Sequence, residues 1–365
     1  MYAQNKLGRE KAVIYLSFIL LSGISMAYGN ELCTVGQMVD AWYRFTTSIT
    51  DWESFVKPYE PRKTGCGIVY ELPNFLNRPN EDLAIVDMRR ILFAEPHYHP
   101  EGVTELYIVL QGTGLVVIGD DEYYVSPGDV ALIPPLTGHY TIPDKDFVIA
   151  VINTPPYTPE HYIPLPSWQG KMNNKLTLQS YESGLSLYMA KTPAVVSGVM
   201  QHWIDTTLAL LHPNARIVEL GSAFGRDAAY IEKQGFKVER TDAAQSFVTL
   251  LQQHGYPAHL FNVLTDNFEG LYDLIFANAV FLHFTPTELS QVLEKIHTHL
   301  TQKSVLSFSV KAGTGEQWET AKLEAPRYFC FWTLETLAQL LRETGFEIIE
   351  SYAVDPFMCI IARKI

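Results

Sequence analysis

The sequence predicts two folded units of different class, an all-β unit followed by an α/β unit with a parallel sheet. Three observations carry this prediction. From Gly67 to Asn153 short apolar runs recur between turn signals such as Gly119-Asp120-Asp121 and Ser126-Pro127-Gly128-Asp129. From about Val195 onward, apolar strand-like runs alternate with helical patterns. Between the two lies a stretch with Pro155, Pro156, Pro159, Pro164 and Pro166, too rich in proline for a helix. A chain of 365 residues has room for both units.

Residues Met1 to Lys11 carry Lys6, Arg9 and Lys11, Ala12 to Ile24 are nearly all apolar, and Ser25-Met26-Ala27 reads like a cleavage site. This segment, 1–27, has the anatomy of a secretory signal and is short for a membrane span. Three readings stand: an exported chain, a true start further on with Met26 a candidate, or a buried or membrane-surface helix. A cytoplasmic enzyme without a stable membrane span is the expectation. Residues 28–66 form a helical extension, with Met38, Val39, Trp42, Phe45, Ile49, Trp52 and Phe55 at three- and four-residue spacing.

In the β-rich stretch, expected strands cover Ala84 to Phe93, Glu105 to Leu110, Gly114 to Ile118, Glu122 to Val125, Val130 to Ile133 and Phe147 to Ile152. Two segments inside it carry chemistry: H-Y-H-P-E-G-V-T-E-L-Y-I-V-L-Q-G from His97, and G-D-V-A-L-I-P-P-L-T-G-H ending at His139. His97 and His99 lie two apart, so an extended strand turns both rings to one side. Glu105 opens the next strand and His139 returns after the Gly128 turn. Three imidazoles and one carboxylate suit Fe, Mn, Ni, Cu or Zn. These segments resemble the two motifs of the cupin family, with one extra residue between His99 and Glu105. The resemblance implies a cupin barrel (a double-stranded β-helix) over 67–153, one divalent transition metal on His97, His99, Glu105 and His139, and room for a homodimer through the barrel.

A linker is expected over 154–186 and the α/β unit over 187–365. That unit opens on a helix, roughly Val195 to Leu211. Ile217 to Asp227 then reads I-V-E-L-G-S-A-F-G-R-D: a strand, a small-residue turn and a helix start, the frame of a nucleotide-type pocket. The spacing is not that of the dinucleotide motif. Further strands are expected at Phe236 to Asp242, Tyr256 to Leu264, Leu271 to Ala277, Lys303 to Val310, Phe346 to Tyr352 and Phe357 to Ala362, with helices at Pro286 to Leu300 and Leu334 to Thr344. Asp242 ends a strand about twenty residues after the first glycine, where a carboxylate can accept both ribose hydroxyls.

The 195–365 segment resembles the class I S-adenosylmethionine (SAM) methyltransferases, with Ala223 in place of the middle glycine of their first motif. The full expectation is therefore a multidomain chain, an all-β cupin barrel followed by an α/β Rossmann-like class I methyltransferase. The resemblance implies SAM as cofactor and places Glu219, Gly221, Ser222, Gly225, Asp227, Asp242, Asn262 and Asn278 around it, with the opening helix covering the pocket. Asp227 could equally be a first-turn helix charge, and Asp242 a turn or cap aspartate. His283 is the candidate proton acceptor; its bland counterpart is a locally packed histidine. The aromatic run Lys311 to Trp332 serves either as a substrate wall or as core.

A net charge of −13 without a Lys/Arg-rich run argues against a nucleic-acid partner and for a small-molecule substrate. Cys33, Cys66, Cys330 and Cys359 are too scattered for a zinc site or disulfide framework. Three functions fit: a methyltransferase whose cupin runs a second step such as oxygenation or isomerisation, a methyltransferase regulated by a ligand-sensing cupin, and a binding protein with a degenerate methyltransferase fold.

Overall fold

A computed structural model describes residues 51–73, 76 and 79–365. The signal-like segment 1–27 and most of the 28–66 extension lie outside the described residues. The chain divides into two compact units, Met1–Gln169 and Gly170–Ile365. No helix among the described residues is long and apolar enough to cross a membrane.

The first unit begins with a helical turn, α1 (Trp52–Val56), and continues through β1 (Pro61–Thr64), β2 (Gly67–Glu71), β3 (Asp82–Asp87), β4 (Ala94–Tyr98), β5 (Thr104–Ile118), β6 (Asp121–Val125), β7 (Val130–Ile133), β8 (His139–Thr154) and β9 (Ile163–Pro164). All nine strands join one curled sheet, in which β8 pairs with β3, β4 and β5. Alternation decides its two faces. Val86, Tyr107, Val109, Phe147, Ile149 and Val151 pack together on one side, and Leu83, Ile85, Ile108, Val148 and Ala150 pack on the other with Trp52 and Val56 of α1. Glu105 has the parity of Tyr107 and Val109, so its carboxylate is carried into the first of these cores.

Two expectations shift here. The run Ala84 to Phe93 is not one strand: Asp87 accepts from the backbone N–H and guanidinium of Arg89, turning the chain before β4 starts. Glu105–Leu110 and Gly114–Ile118 are one long strand bent by irregularities near Gly112. A Cβ at Gly112 would lie 2.1 Å from the Lys145 carbonyl oxygen, which is why the bend requires glycine.

The second unit comprises α2 (Gln169–Ser183, whose first residue ends the first unit), α3 (Leu185–Ala190), α4 (Gly198–Leu208), β10 (Arg216–Leu220), α5 (Arg226–Lys233), β11 (Lys237–Asp242), α6 (Gln245–Gln253), β12 (Ala258–Leu260), β13 (Tyr272–Ala277), α7 (Pro286–His299), β14 (Leu300–Ala312), β15 (Glu316–Glu319), β16 (Arg327–Trp332), α8 (Leu334–Glu343), β17 (Phe346–Val354) and β18 (Phe357–Lys364). Its main sheet runs β12-β11-β10-β13-β14-β18-β17; the first five strands are parallel and β18 is antiparallel. Strands covered on both faces read as continuous apolar runs. Val218, Ile275, Leu306 and Phe308 pack under α7 and α8, and Ile217, Leu274, Phe276 and Val305 pack under α4 and α5. Capping sharpens the helices: Thr285 and Glu288 form a reciprocal box at the start of α7.

The expected linker 154–186 is structured differently. Its first part stays with the first unit, where β9 pairs with β4, and its last part is α2 and the start of α3 in the second unit. Within the second unit, Glu182 of α2 accepts from the backbone N–H groups of Gln245 and Ser246 and so caps α6. Losing a cap costs about 1 kcal/mol. Glu182→Ala should therefore lower stability by about that amount, read from denaturant midpoints, whereas Glu182→Gln should recover part of it.

Candidate functional site

The first candidate is a polar cluster inside the first unit. The expected metal-binding residues His97, His99, Glu105 and His139 converge, with one ligand atom of each lying within 4.8 Å of the others. Register explains the convergence. His97 pairs with His139 across β4 and β8, and Glu105 stands on β5, which also pairs with β8. All four side chains are buried, His139 completely.

Ring orientation is set from outside the cluster. Nδ1 of His97 donates to the Glu95 carbonyl at 2.8 Å, Nδ1 of His99 to the His161 carbonyl at 2.8 Å, and Nδ1 of His139 to the Thr137 carbonyl at 3.1 Å. A carbonyl only accepts, so each Nδ1 carries a proton and each Nε2 is available to the interior. His99 Nε2 lies 3.1 Å from Glu105 Oε2. His139 Nε2 lies 3.3 Å from the same oxygen but is not aligned for a hydrogen bond, which leaves it buried without a partner.

Burial is the largest influence on these groups. It drives His97 down to about 3, helped by the neighbouring His139. For His99 burial acts downward, but the Glu105 carboxylate and the His161 carbonyl outweigh it and raise the ring. For Glu105 burial acts upward, but the His139 and His99 rings outweigh it and hold the carboxyl well below its usual range. The cluster is thus an anionic carboxylate among inward-facing imidazole nitrogens, a set that fits a divalent transition metal. Sequence reasoning missed the support from the Pro-rich stretch: His161 fixes His99, and the Tyr162 ring stacks on His97 with centroids 4.3 Å apart. The signal for it was Tyr157, Tyr162 and Trp168, which suggest that the stretch packs on a domain without naming the surface it meets.

The second candidate is a cleft at the carboxyl ends of β10, β11 and β13, where open α/β sheets bind ligands. Gly221, Asp242, Asn262, Asn278 and His283 line it, together with Asn174, Thr177, Tyr181, Tyr188 and Phe247. Glu219, Ser222, Gly225 and Asp227 are not on its lining. The opening helix, α4, does not cover the cleft; it packs on the opposite face through Trp203 and Ile204. The cover comes from α2 and α3, which the sequence reading assigned to the linker and the start of the unit.

Asp242 holds the centre. Its Oδ2 accepts from Ala223 N–H at 2.8 Å and its Oδ1 from Ala244 N–H at 2.8 Å. Burial raises it to about 6, against those backbone bonds. Ala223 has φ of +49°, the left-handed conformation glycine favours, so alanine at the middle-glycine position is strained. At Gly221, φ is +68° and a Cβ would meet Val280 at 2.5 Å. Asp227 is held by Arg226 at 2.7 Å and by Asn278 Nδ2 at 2.7 Å, and Asn278 Oδ1 accepts from Ser309. Asn262 joins the covering helix, donating to Asn174 Oδ1 at 2.9 Å.

His283 lines the cleft while almost wholly buried in its wall. Its Nδ1 donates to the Tyr328 carbonyl at 2.6 Å, which leaves Nε2 to accept from the Tyr181 hydroxyl at 2.9 Å. Burial first, then the cations Arg327 and Lys311, drive it to about 3, so it is neutral at physiological pH. Most of the aromatic run that leads to Trp332 is core: Tyr328, Phe329, Cys330 and Trp332 pack inward on β16.

A cupin-domain family profile matches residues 93–152 and a methyltransferase-domain profile matches residues 195–351. The chain is 32% identical over 111 residues to uncharacterized protein MJ1618 of Methanocaldococcus jannaschii, covering 29% of this chain and 85% of that protein. Among solved structures it is similar to the 1,6-didemethyltoxoflavin-N1-methyltransferase of Burkholderia thailandensis, at 23% identity and TM-score 0.43 over 55% of this chain and 92% of that one. It is also similar to TehB from Haemophilus influenzae, at 12% identity and TM-score 0.38 over 77% and 99%.

Glu219 yields a pH test. Burial, then the Asp227 charge, raises its carboxyl to about 8. Below the ordinary carboxylate range the folded and unfolded chains both hold this proton. Between that range and about 8 only the folded chain holds it, so stability falls as pH rises through this window. Glu219→Gln should match the wild type at pH about 4.5 and be more stable by a few kcal/mol at pH about 8.5, followed by thermal denaturation; an equal loss for both proteins on going to the higher pH would refute the buried neutral carboxyl. In its matched stretch the chain belongs to the family of the archaeal protein, and its two profile matches join a cupin domain to a methyltransferase domain.

Proposed function

We propose that the second unit transfers the methyl group of SAM to a small molecule and that the cupin domain binds one divalent transition metal for a second step on the same pathway. The observation that carries the first part is the Asp242 carboxylate, buried at the end of β11 on the cleft lining. Its oxygens have acceptor capacity beyond the two backbone bonds and suit a pair of ribose hydroxyls. Gly221 and the strained Ala223 bring the backbone close to the same place. SAM, when bound, supplies a methyl carbon on a positively charged sulfur.

The chain's own residues position the acceptor. Tyr181 presents its hydroxyl at the cleft, and neutral His283 accepts from it. The Tyr181 hydroxyl, anchored on His283 Nε2, can orient an acceptor O–H or N–H, while a histidine driven to about 3 is too weakly basic to hold that proton. SAM, held at Asp242 and Gly221, would supply the methyl carbon for an in-line displacement by that acceptor. The aromatic walls Tyr181, Tyr188 and Phe247 exclude water, on which such an in-line displacement depends. A SAM-using enzyme of this kind works where SAM is made, which favours the cytoplasm.

For the cupin, His97, His99, Glu105 and His139 would hold the metal, which supplies Lewis-acid or redox chemistry suited to an oxygenation or isomerisation. Burying four such groups in an apolar core is unfavourable unless something pairs with them. This supports a loaded metal site over an empty barrel.

Asp242→Ala should weaken SAM binding roughly ten- to hundred-fold, the worth of a lost charged hydrogen bond, measured by calorimetry; unchanged binding rejects the ribose assignment. His99→Ala combined with His139→Ala should abolish metal uptake in elemental analysis and leave SAM binding intact, because each site lies in a unit with its own core. Wild-type protein from metal-replete cells that holds no divalent metal and takes none up sinks the metal centre.

A further inference from the structure

The inner face of the cupin sheet carries a buried acceptor whose orientation is forced. Register sets Asp82, Asn153 and Glu105 side by side across β3, β8 and β5, so the three side chains share one face. Asn153 is 5% exposed and stands directly opposite Glu105, the carboxylate of the histidine cluster. Asp82 Oδ2 accepts from the Tyr157 backbone N–H at 2.7 Å, and Asp82 Oδ1 lies 2.9 Å from the Asn153 amide. An ionised carboxylate only accepts, so the amide nitrogen of Asn153 must face it. The carbonyl oxygen, Oδ1, is thereby turned the other way, and it is buried without a donor among the described residues.

A buried carbonyl without a donor is costly. The cluster does not serve it, because the Nδ1 protons of His97, His99 and His139 go to the Glu95, His161 and Thr137 carbonyls. A molecule entering beside Glu105 could serve it, and the same inner face meets solvent close by. One step along the sheet, in the row of Ala84, Val151 and Tyr107, stands Glu71, which is exposed like its partner Arg62. An anion beside Asn153 would face the Glu105 carboxylate and find a second acceptor in Oδ1. A neutral donor meets neither obstacle.

We propose that Asn153 is the specificity-determining residue of the cupin site, where its Oδ1 accepts a hydrogen bond from the O–H or N–H of an uncharged small molecule held beside Glu105. This rests on the reading of the cluster as a metal centre and names the ligand class of that site. Asp82 is the positioning residue: fixed by the Tyr157 N–H, it decides which end of the Asn153 amide the ligand meets.

Phenol and anisole carry the same ring, but only phenol donates. Ligand-observed NMR on the full chain, metal-free and loaded with manganese(II), compares them. Phenol should bind wild type about ten-fold more tightly, the scale of a buried acceptor left unmet, and bound manganese should broaden its lines. Asn153→Leu should remove the preference. Asp82→Asn gives the sharper result, because it keeps the shape and both hydrogen bonds. The new amide's carbonyl must still serve the Tyr157 N–H, so its nitrogen faces Asn153 and turns that amide round. The ligand then meets an N–H, and the preference should pass from phenol to anisole. Equal binding of the two probes by wild type, or a phenol preference that Asp82→Asn leaves unchanged, overturns the proposal. So does a preference without broadening by bound manganese, which places the probe elsewhere. Binding of neither probe overturns it as well, and leaves Oδ1 to a water alone. Failure to take up manganese, with the phenol preference present in wild type and reversed in Asp82→Asn, would count against the metal centre and uphold the Asn153 site.

Discussion

The second unit is organised by one carboxylate bonded to two loops. Asp242 accepts from Ala223 in the turn after β10 and from Ala244 in the turn after β11. Those bonds fix the edge where two parallel strands end, and thereby the floor of the cleft. The strain at Ala223 is maintained because its N–H has a buried partner. Glu182 extends the same structure by capping α6 immediately after Asp242, so the covering helix α2 and the cleft floor are joined through one short segment. Further support lies behind the wall, where Asp227, Asn278 and Ser309 form a chain of hydrogen bonds that orients the end of β13.

The first unit uses a different device. Its cluster is directed from the backbone: three carbonyls take the Nδ1 protons and turn three Nε2 atoms toward Glu105. The rings therefore need no adjustment to present a ligand set. One of those carbonyls belongs to His161, in the proline-rich stretch, and the next residue stacks on His97. That stretch completes the site, and β9 pins it to β4.

The two sites differ in charge as they do in fold. The histidine cluster surrounds an anion and suits a cation. The methyltransferase cleft is lined by a hydrogen-bonded pair, Tyr181 and neutral His283, with the aromatic rings of Tyr188 and Phe247 beside it. Burial has opposite outcomes here. In the cluster it is outweighed and Glu105 stays ionised, whereas in the cleft it prevails and His283 stays uncharged.

The residues alone determined the two fold classes, because strand and helix periods depend on side-chain direction along a local backbone. They also singled out His97, His99, Glu105 and His139, whose spacing on short strands is itself a local property, and Asp242, whose place at a strand end follows from the motif before it. What required tertiary structure were contacts between residues distant in sequence. Tyr181 meets His283 across 102 residues, His99 meets His161 across 62, and Arg327 meets Tyr181 across 146. The segment 169–190 has a weak apolar pattern and no motif, so nothing local marked it as the cover of the cleft, while α4, with the stronger pattern, packs on the other face of the sheet. Periodicity says that a helix has a face to bury. Only the closed fold decides which surface that face meets.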